Sequence, residues 1–139
     1  MDFNINYLAV LVAGISNMVI GGLWYGPLFM KPWSKEMGFD KRSPDEIARM
    51  KAGSKTAYPQ AFVGALLTAV VLAHVMQAFG ADSIAGGLTG AFWSWLGFIV
   101  PVKYGDKLWG GKSFKLFFIE VFYYLVSLSV MSIILVSWM

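Results

Sequence analysis

All eleven lysines and arginines of this 139-residue chain lie in two stretches, residues 31–57 and 103–115, and none lies in the long apolar runs on either side of them. Lys31, Lys35, Lys41, Arg42, Arg49, Lys51 and Lys55 occupy the first stretch, and Lys103, Lys107, Lys112 and Lys115 the second. A helix rising about 1.5 Å per residue needs about 20 apolar residues to cross a hydrocarbon core of about 30 Å. Four runs meet that requirement, at residues 5–26, 58–79, 84–102 and 116–138. Four antiparallel spans then put both basic loops on one side, with the termini and the turn at residues 80–83 on the other. Basic loops stay on the cytoplasmic side, so the expectation is a multi-pass inner-membrane protein with both termini outside.

Composition excludes the soluble alternative. Charged residues make up 14% of the chain and hydrophobic ones 58%, whereas a soluble domain has about a quarter of its residues charged and a polar face on each helix. The predicted fold class is therefore all-α, an integral membrane bundle of four transmembrane helices forming a single domain over residues 1–139. The first run is not read as a secretory signal, because no Lys or Arg precedes Lys31 and the run is too long for such a segment. With no cysteine in the chain, disulfides, thiolate catalysis and cysteine-held metal are excluded.

Within the first basic loop, Ser43-Pro44-Asp45-Glu46 places a capping Ser before a Pro and sets a Glu three residues on, which is a helix start. It predicts a short cytoplasmic surface helix over residues 44–52, ending near Gly53. The basic residues around it are expected to meet anionic lipid headgroups. Nucleic acid is not an expected partner, since the neighbouring aromatics belong to the membrane edge.

In lipid, helices associate through close packing of small residues. Ala57, Ala61, Ala65, Ala69 and Ala73 step by four along the second run, Ala9, Ala13, Asn17 and Gly21 along the first, and Gly86, Gly90 and Ser94 along the third. These ridges predict a tight bundle with the first two helices in contact, packed within one subunit or between the subunits of a homo-oligomer.

Polar groups inside a span cost free energy and face protein or water. Glu120 is the costliest, and on a helix it shares one stripe with Tyr123, Tyr124 and Ser127. It serves either a proton-relay or ligand role, or simply pairs with Lys103, Lys115 or an interfacial amide. Asn17, near mid-membrane, serves as interhelical glue or as part of a ligand site. With Gln60 at a similar depth, the candidate polar site is Asn17, Gln60, Glu120, Tyr124 and Ser127. His74 and Gln77 form a secondary candidate in the outer half, where a lone His without a carboxylate is expected to be a packing residue. Trp24, Tyr25, Pro27, Lys31 and Trp33 form an interfacial motif at the inner boundary, with Tyr58, Tyr104 and Trp109 completing an aromatic belt. No nucleophile triad, HExxH pair, phosphate loop or paired carboxylates occurs, so no catalytic residue, metal site or cofactor is expected.

The run GGLWYGPLFMKPW with Lys35-Glu36-Met37-Gly38, the segments Gly86-Gly87-Leu88 and Trp95-Leu96-Gly97-Phe98, and Tyr123-Tyr124-Leu125-Val126-Ser127-Leu128 together resemble a family of small bacterial membrane proteins, the family of unknown function DUF1761. The resemblance covers essentially the whole chain and implies a four-helix inner-membrane protein, without an activity or a catalytic residue. Three functions follow from the residues: a binding site or pathway for a small solute or ion at an oligomeric bundle; a structural or accessory membrane protein; and a lipid-acting enzyme, which would need an acid and a base in contact at headgroup level.

Overall fold

The computed structural model describes residues 3–138. Its helices are α1 (Tyr7–Leu28), α2 (Met30–Glu36), α3 (Pro44–Ala78), α4 (Ile84–Gly110) and α5 (Phe114–Ser137), with a single 3-10 turn at Phe39–Lys41. Among the described residues, α1, α3, α4 and α5 are the helices long and apolar enough to cross a membrane.

Capping chemistry sets the helix boundaries. Asn6 accepts from the backbone N–H groups of Leu8 and Ala9, Ser43 from Glu46, Ser83 from Gly86 and Ser113 from Leu116, so each long helix starts on a side chain that satisfies its free donors. Chain reversals follow at Gly38, Gly80 and Gly111, with φ of 76°, 66° and 69°, a region that glycine enters without a Cβ clash.

Two expectations are corrected here. The helix that begins at Ser43 does not stop near Gly53. It runs on as the 35-residue α3 into the membrane-spanning segment, so no separate surface helix stands over residues 44–52. Gly53 keeps helical geometry, and a lone interior glycine costs only about 1 kcal/mol. At about 1.5 Å per residue α3 is roughly 50 Å long and outreaches a hydrocarbon core by several turns. Pro59, inside it, leaves the Lys55 carbonyl without its usual partner. The second basic loop is likewise shorter than residues 103–115, because α4 remains helical through Gly110. Charge marks where a helix leaves lipid, and a helix can continue into water beyond that point.

α1 packs along α3 on one side and α5 on the other, and α5 packs along α4, which gives the order α3–α1–α5–α4. α3 and α4 meet chiefly beside their connecting turn, where a Cβ on Gly90 would stand 2.6 Å from the Met76 methyl. The Gln77 side chain both accepts from and donates to the Asn4 backbone, and Asn6 donates to the Trp138 carbonyl. These bonds gather the start of α1 and the ends of α3 and α5 at one end of the bundle. At the other end Ser113 donates to Glu36 across 2.6 Å, tying α2 to the start of α5. All eleven Lys and Arg belong to segments at this second, basic end.

The small-residue ridges pack unevenly along the bundle. Ala9, Ala13, Ala65, Ala69 and Ala73 are buried, and at Gly14 the backbone of α1 approaches α3 so closely that a Cβ would meet Leu66 at 2.7 Å. Ala57 and Ala61 on the same ridge are exposed. α1 and α3 therefore touch over the half remote from the charges and stand apart over the basic half.

A tryptophan-gripped polar centre beside an open groove

Two helices widen into a π turn, α1 at Trp24–Leu28 and α4 at Trp95–Ile99, and each widened turn opens with Trp-x-Gly. An indole N–H in an apolar setting needs an acceptor. Trp24 Nε1 donates to the Ile119 carbonyl at 2.9 Å, and the more deeply buried Trp95 Nε1 donates to the Val121 carbonyl at 2.6 Å. Both acceptors lie on α5, immediately before and after Glu120. In α1 the widened turn also holds Gly26, whose φ of −102° and ψ of −106° leave the helical range, and Pro27, which has no N–H; the chain bends there into α2.

Glu120 faces α4 and the chain just before α5. Its Oε2 lies 3.5 Å from Lys103 Nζ and its Oε1 3.9 Å from Lys112 Nζ, with the Glu120 side chain 12% exposed. Lys103 also approaches Asp106 at 3.7 Å and stands 5.5 Å over the Tyr124 ring. A carboxylate at the edge of the apolar layer is thus neutralised by two ammonium groups.

Asn17 belongs to a different seam. Its Nδ2 donates to Ser127 Oγ at 2.7 Å, and Tyr123 donates from its hydroxyl to Asn17 Oδ1 at 3.1 Å. Met131 Sδ is 3.7 Å from both Asn17 Nδ2 and Ser127 Oγ. These bonds join α1 to α5 through groups that would otherwise be unsatisfied in hydrocarbon. The expected stripe on α5 therefore divides, with Glu120 and Tyr124 turned to Lys103, and Tyr123 and Ser127 turned to Asn17. Gln60 is exposed on α3 and joins neither group.

Where α1 and α3 part, a groove of about 630 Å³ opens between them, walled on its third side by α2 and Tyr123. Asn17, Gly21 and Gly22 lie along it, and Tyr25, Trp33, Tyr58 and Tyr123 supply aromatic walls. The Tyr25 ring sits between Trp33 at 5.2 Å and Tyr123 at 5.3 Å, and Trp33 meets Phe39 edge-on at 5.3 Å. Of the interfacial motif, Tyr25 and Trp33 thus line the groove, Trp24 points into the bundle, and Pro27 and Lys31 remain exposed.

His74 and Gln77 lie at the far end. His74 Nδ1 is 2.7 Å from its own helix's Val70 carbonyl, and its ring meets Phe3 edge-on at 4.8 Å. Gln77 fastens the segment before α1. Both act on the packing of that end, remote from Asn17 and Glu120.

Sequence reasoning quoted Trp95 within a family segment, without a bonding role, and did not single out Lys112 or the Glu36–Ser113 bond. The repeated Trp-x-Gly at Trp24 and Trp95 was the available signal for the first. Nothing local distinguishes Lys112 or Glu36 from other charges of the basic loops.

Among the described residues the structure is all-helical, and its four apolar helices of spanning length, with a polar centre satisfied between them, define a multi-pass membrane protein. A family model described as protein of unknown function (DUF1761) matches residues 8–136, and the chain belongs to that family. No curated protein and no solved structure matches it.

Proposed function

We propose that this is an inner-membrane protein whose basic end faces the cytoplasm and anionic headgroups, and that it binds a small molecule in the groove beside Asn17 and Tyr123. The observation that carries this reading is the asymmetry of the bundle. An aromatic groove of about 630 Å³ is open in the basic half, while Ala13, Ala69, Met76 and Met131, each 0% exposed, fill the other half. Ligand sites are concave, mostly apolar and carry a few placed polar groups, and the groove has all three properties. Translocation through one subunit is less well supported: Asn17 and Glu120 are satisfied in separate seams and Gln60 lies outside both, so the three line no shared path. A pathway would need a second copy, and the apolar cleft of about 350 Å³ between α3 and α4, with Thr68 and Ser94 on its walls, is the seam that a homo-oligomer would cover.

The structural or accessory role is the second reading. It is favoured by the way Asn17, Trp24 and Trp95 all act as bonds between helices, and by the charged part of α3 that extends past the spanning length. Cysteine labelling separates the two, because the chain has no cysteine of its own. Gly22→Cys and Tyr58→Cys should react with a membrane-impermeant maleimide in inside-out vesicles, Asp82→Cys should react only in right-side-out vesicles, and Ala13→Cys in neither. A Gly22→Cys as unreactive as Ala13→Cys would mean that no accessible groove exists, and would leave the structural reading.

A further inference from the structure

We propose that the groove takes a neutral, planar molecule carrying hydrogen-bond acceptors, of the aryl ketone or quinone class, and that Tyr25 reads the acceptor. This rests on the binding reading above and adds the chemistry of the ligand.

Charge is the first argument. Among the described residues, none that lines the groove is charged. An anion there would lie unpaired in a partly desolvated site, at a cost of several kcal/mol. A cation would gain from the aromatic faces, but the eleven Lys and Arg gathered at this end oppose it against five acids in the same segments, Glu36, Asp40, Asp45, Glu46 and Asp106, and Glu120 just beyond them. A neutral ligand meets neither penalty.

Shape is the second. One wall is bare backbone, where a Cβ on Gly22 or Gly26 would meet nothing within 4 Å. Tyr25 and Trp33 stand beside it with rings inclined by 59°. A flat ring can lie against the glycine surface and present its edge or face to those aromatics, the arrangement that their quadrupoles favour.

Hydrogen-bond donors narrow the class further. The Tyr123 hydroxyl is committed to Asn17 Oδ1 and the Asn17 amide to Ser127. Three donors on the groove's walls make no hydrogen bond among the described residues, the Tyr25 hydroxyl, the Trp33 indole N–H and the Tyr58 hydroxyl, and of the two phenols Tyr25 is half-buried while Tyr58 is 65% exposed. A phenol donor without a partner at the wall of an apolar groove is matched by a carbonyl oxygen on the ligand.

The test uses the full chain in lipid nanodiscs, with equilibrium dialysis against four probes and empty nanodiscs as the partition control. The probes are 2-methyl-1,4-naphthoquinone, 2-methylnaphthalene as the same ring without acceptors, 2-naphthalenesulfonate as an anion, and a naphthyl trimethylammonium as a cation. The quinone should be retained best. Gly22→Leu, which fills open space and should melt no lower than wild type, should abolish its retention. Tyr25→Phe should weaken the quinone about fivefold to tenfold and leave 2-methylnaphthalene unchanged. If Gly22→Leu abolishes binding but a charged probe binds as well as the quinone, or Tyr25→Phe has no effect, the ligand class is wrong and the groove reading stands. If no probe exceeds the empty disc, or Gly22→Leu changes nothing, the binding reading falls and the ligand class with it.

Discussion

Tyr123 on α5 donates its hydroxyl proton to the side-chain oxygen of Asn17 on α1, and the same amide donates onward to Ser127, one turn further along α5. A single amide thus uses both of its ends to hold one helix pair. Such bonds between membrane helices contribute about 0.6 kcal/mol on average and up to about 1.7. Tyr123→Phe is expected to cost about 0.5–1.5 kcal/mol, and Asn17→Ala more, because it strands both partners. A double-mutant cycle on these two positions, read by unfolding in mixed micelles, should give a coupling of about 0.5–1.5 kcal/mol; additive effects would mean that the bond does not form.

Glu120 should behave as a structural counter-ion. Glu120→Gln leaves Lys103, 22% exposed, without its main partner, and an ion pair at that intermediate burial is expected to cost about 1–2 kcal/mol when one member is removed. The more exposed Lys112 should matter less. Restoration of stability in Glu120→Gln/Lys103→Gln, measured by thermal unfolding in detergent, is the expected signature, and a loss of stability with Lys112→Gln equal to that with Lys103→Gln would contradict it.

The two tryptophans make a ranked pair. Trp95→Phe removes an enclosed donor and strands volume in the core, so a cost of about 2–3 kcal/mol is expected, against about 1 kcal/mol for the less buried Trp24→Phe. Equal costs would show that burial does not set the strength of these bonds.

The glycines divide by what a methyl group would meet. At Gly87 a Cβ would press on the branched Val136 side chain at 3.1 Å and the Ser132 carbonyl at 3.3 Å, neither of which yields readily. Gly87→Ala should therefore cost about 1–3 kcal/mol. Gly22→Ala meets nothing and should be neutral or stabilising by up to about 1 kcal/mol, through helix propensity alone. Nearby Ser132 has a fully buried hydroxyl without a partner among the described residues. Ser132→Ala should accordingly raise the melting temperature slightly, and a clear loss would reveal a bond to that hydroxyl.

The number of the spans was legible in the sequence because lipid imposes a binary test on every twenty-residue window, and the gathering of charge at one end of the bundle because all the cations fall between windows. The polar residues that needed partners were legible for the same reason, and Asn17 and Glu120 stand out in any reading. Of their partners, Lys103 was expected for Glu120, while Lys112 and, for Asn17, Tyr123 and Ser127 were not. On a helix wheel Tyr123, Tyr124 and Ser127 share one face with Glu120, but the face is wide enough to touch two neighbours, so Ser127 goes to α1 and Tyr124 to α4. The alanine ridge of α3 runs unbroken from Ala57 to Ala73, yet only its far half is packed. That divergence arises where Gly26 and Pro27 bend α1 and where Trp33 and Tyr58 take up the space, a balance of side-chain volumes that period-four spacing does not encode.

α1 and α3 touch at one end and part over a groove at the other. In the cysteine-free chain, paired cysteines test it directly under mild oxidation in native membranes. Gly14→Cys with Leu66→Cys should cross-link rapidly, since a Cβ at position 14 would lie 3.6 Å from the Leu66 backbone nitrogen. Gly22→Cys with Ala61→Cys, on opposite walls of the groove, should not cross-link. Equal cross-linking of both pairs would mean that the helices pack along their whole length, and that the groove and every function placed in it are absent.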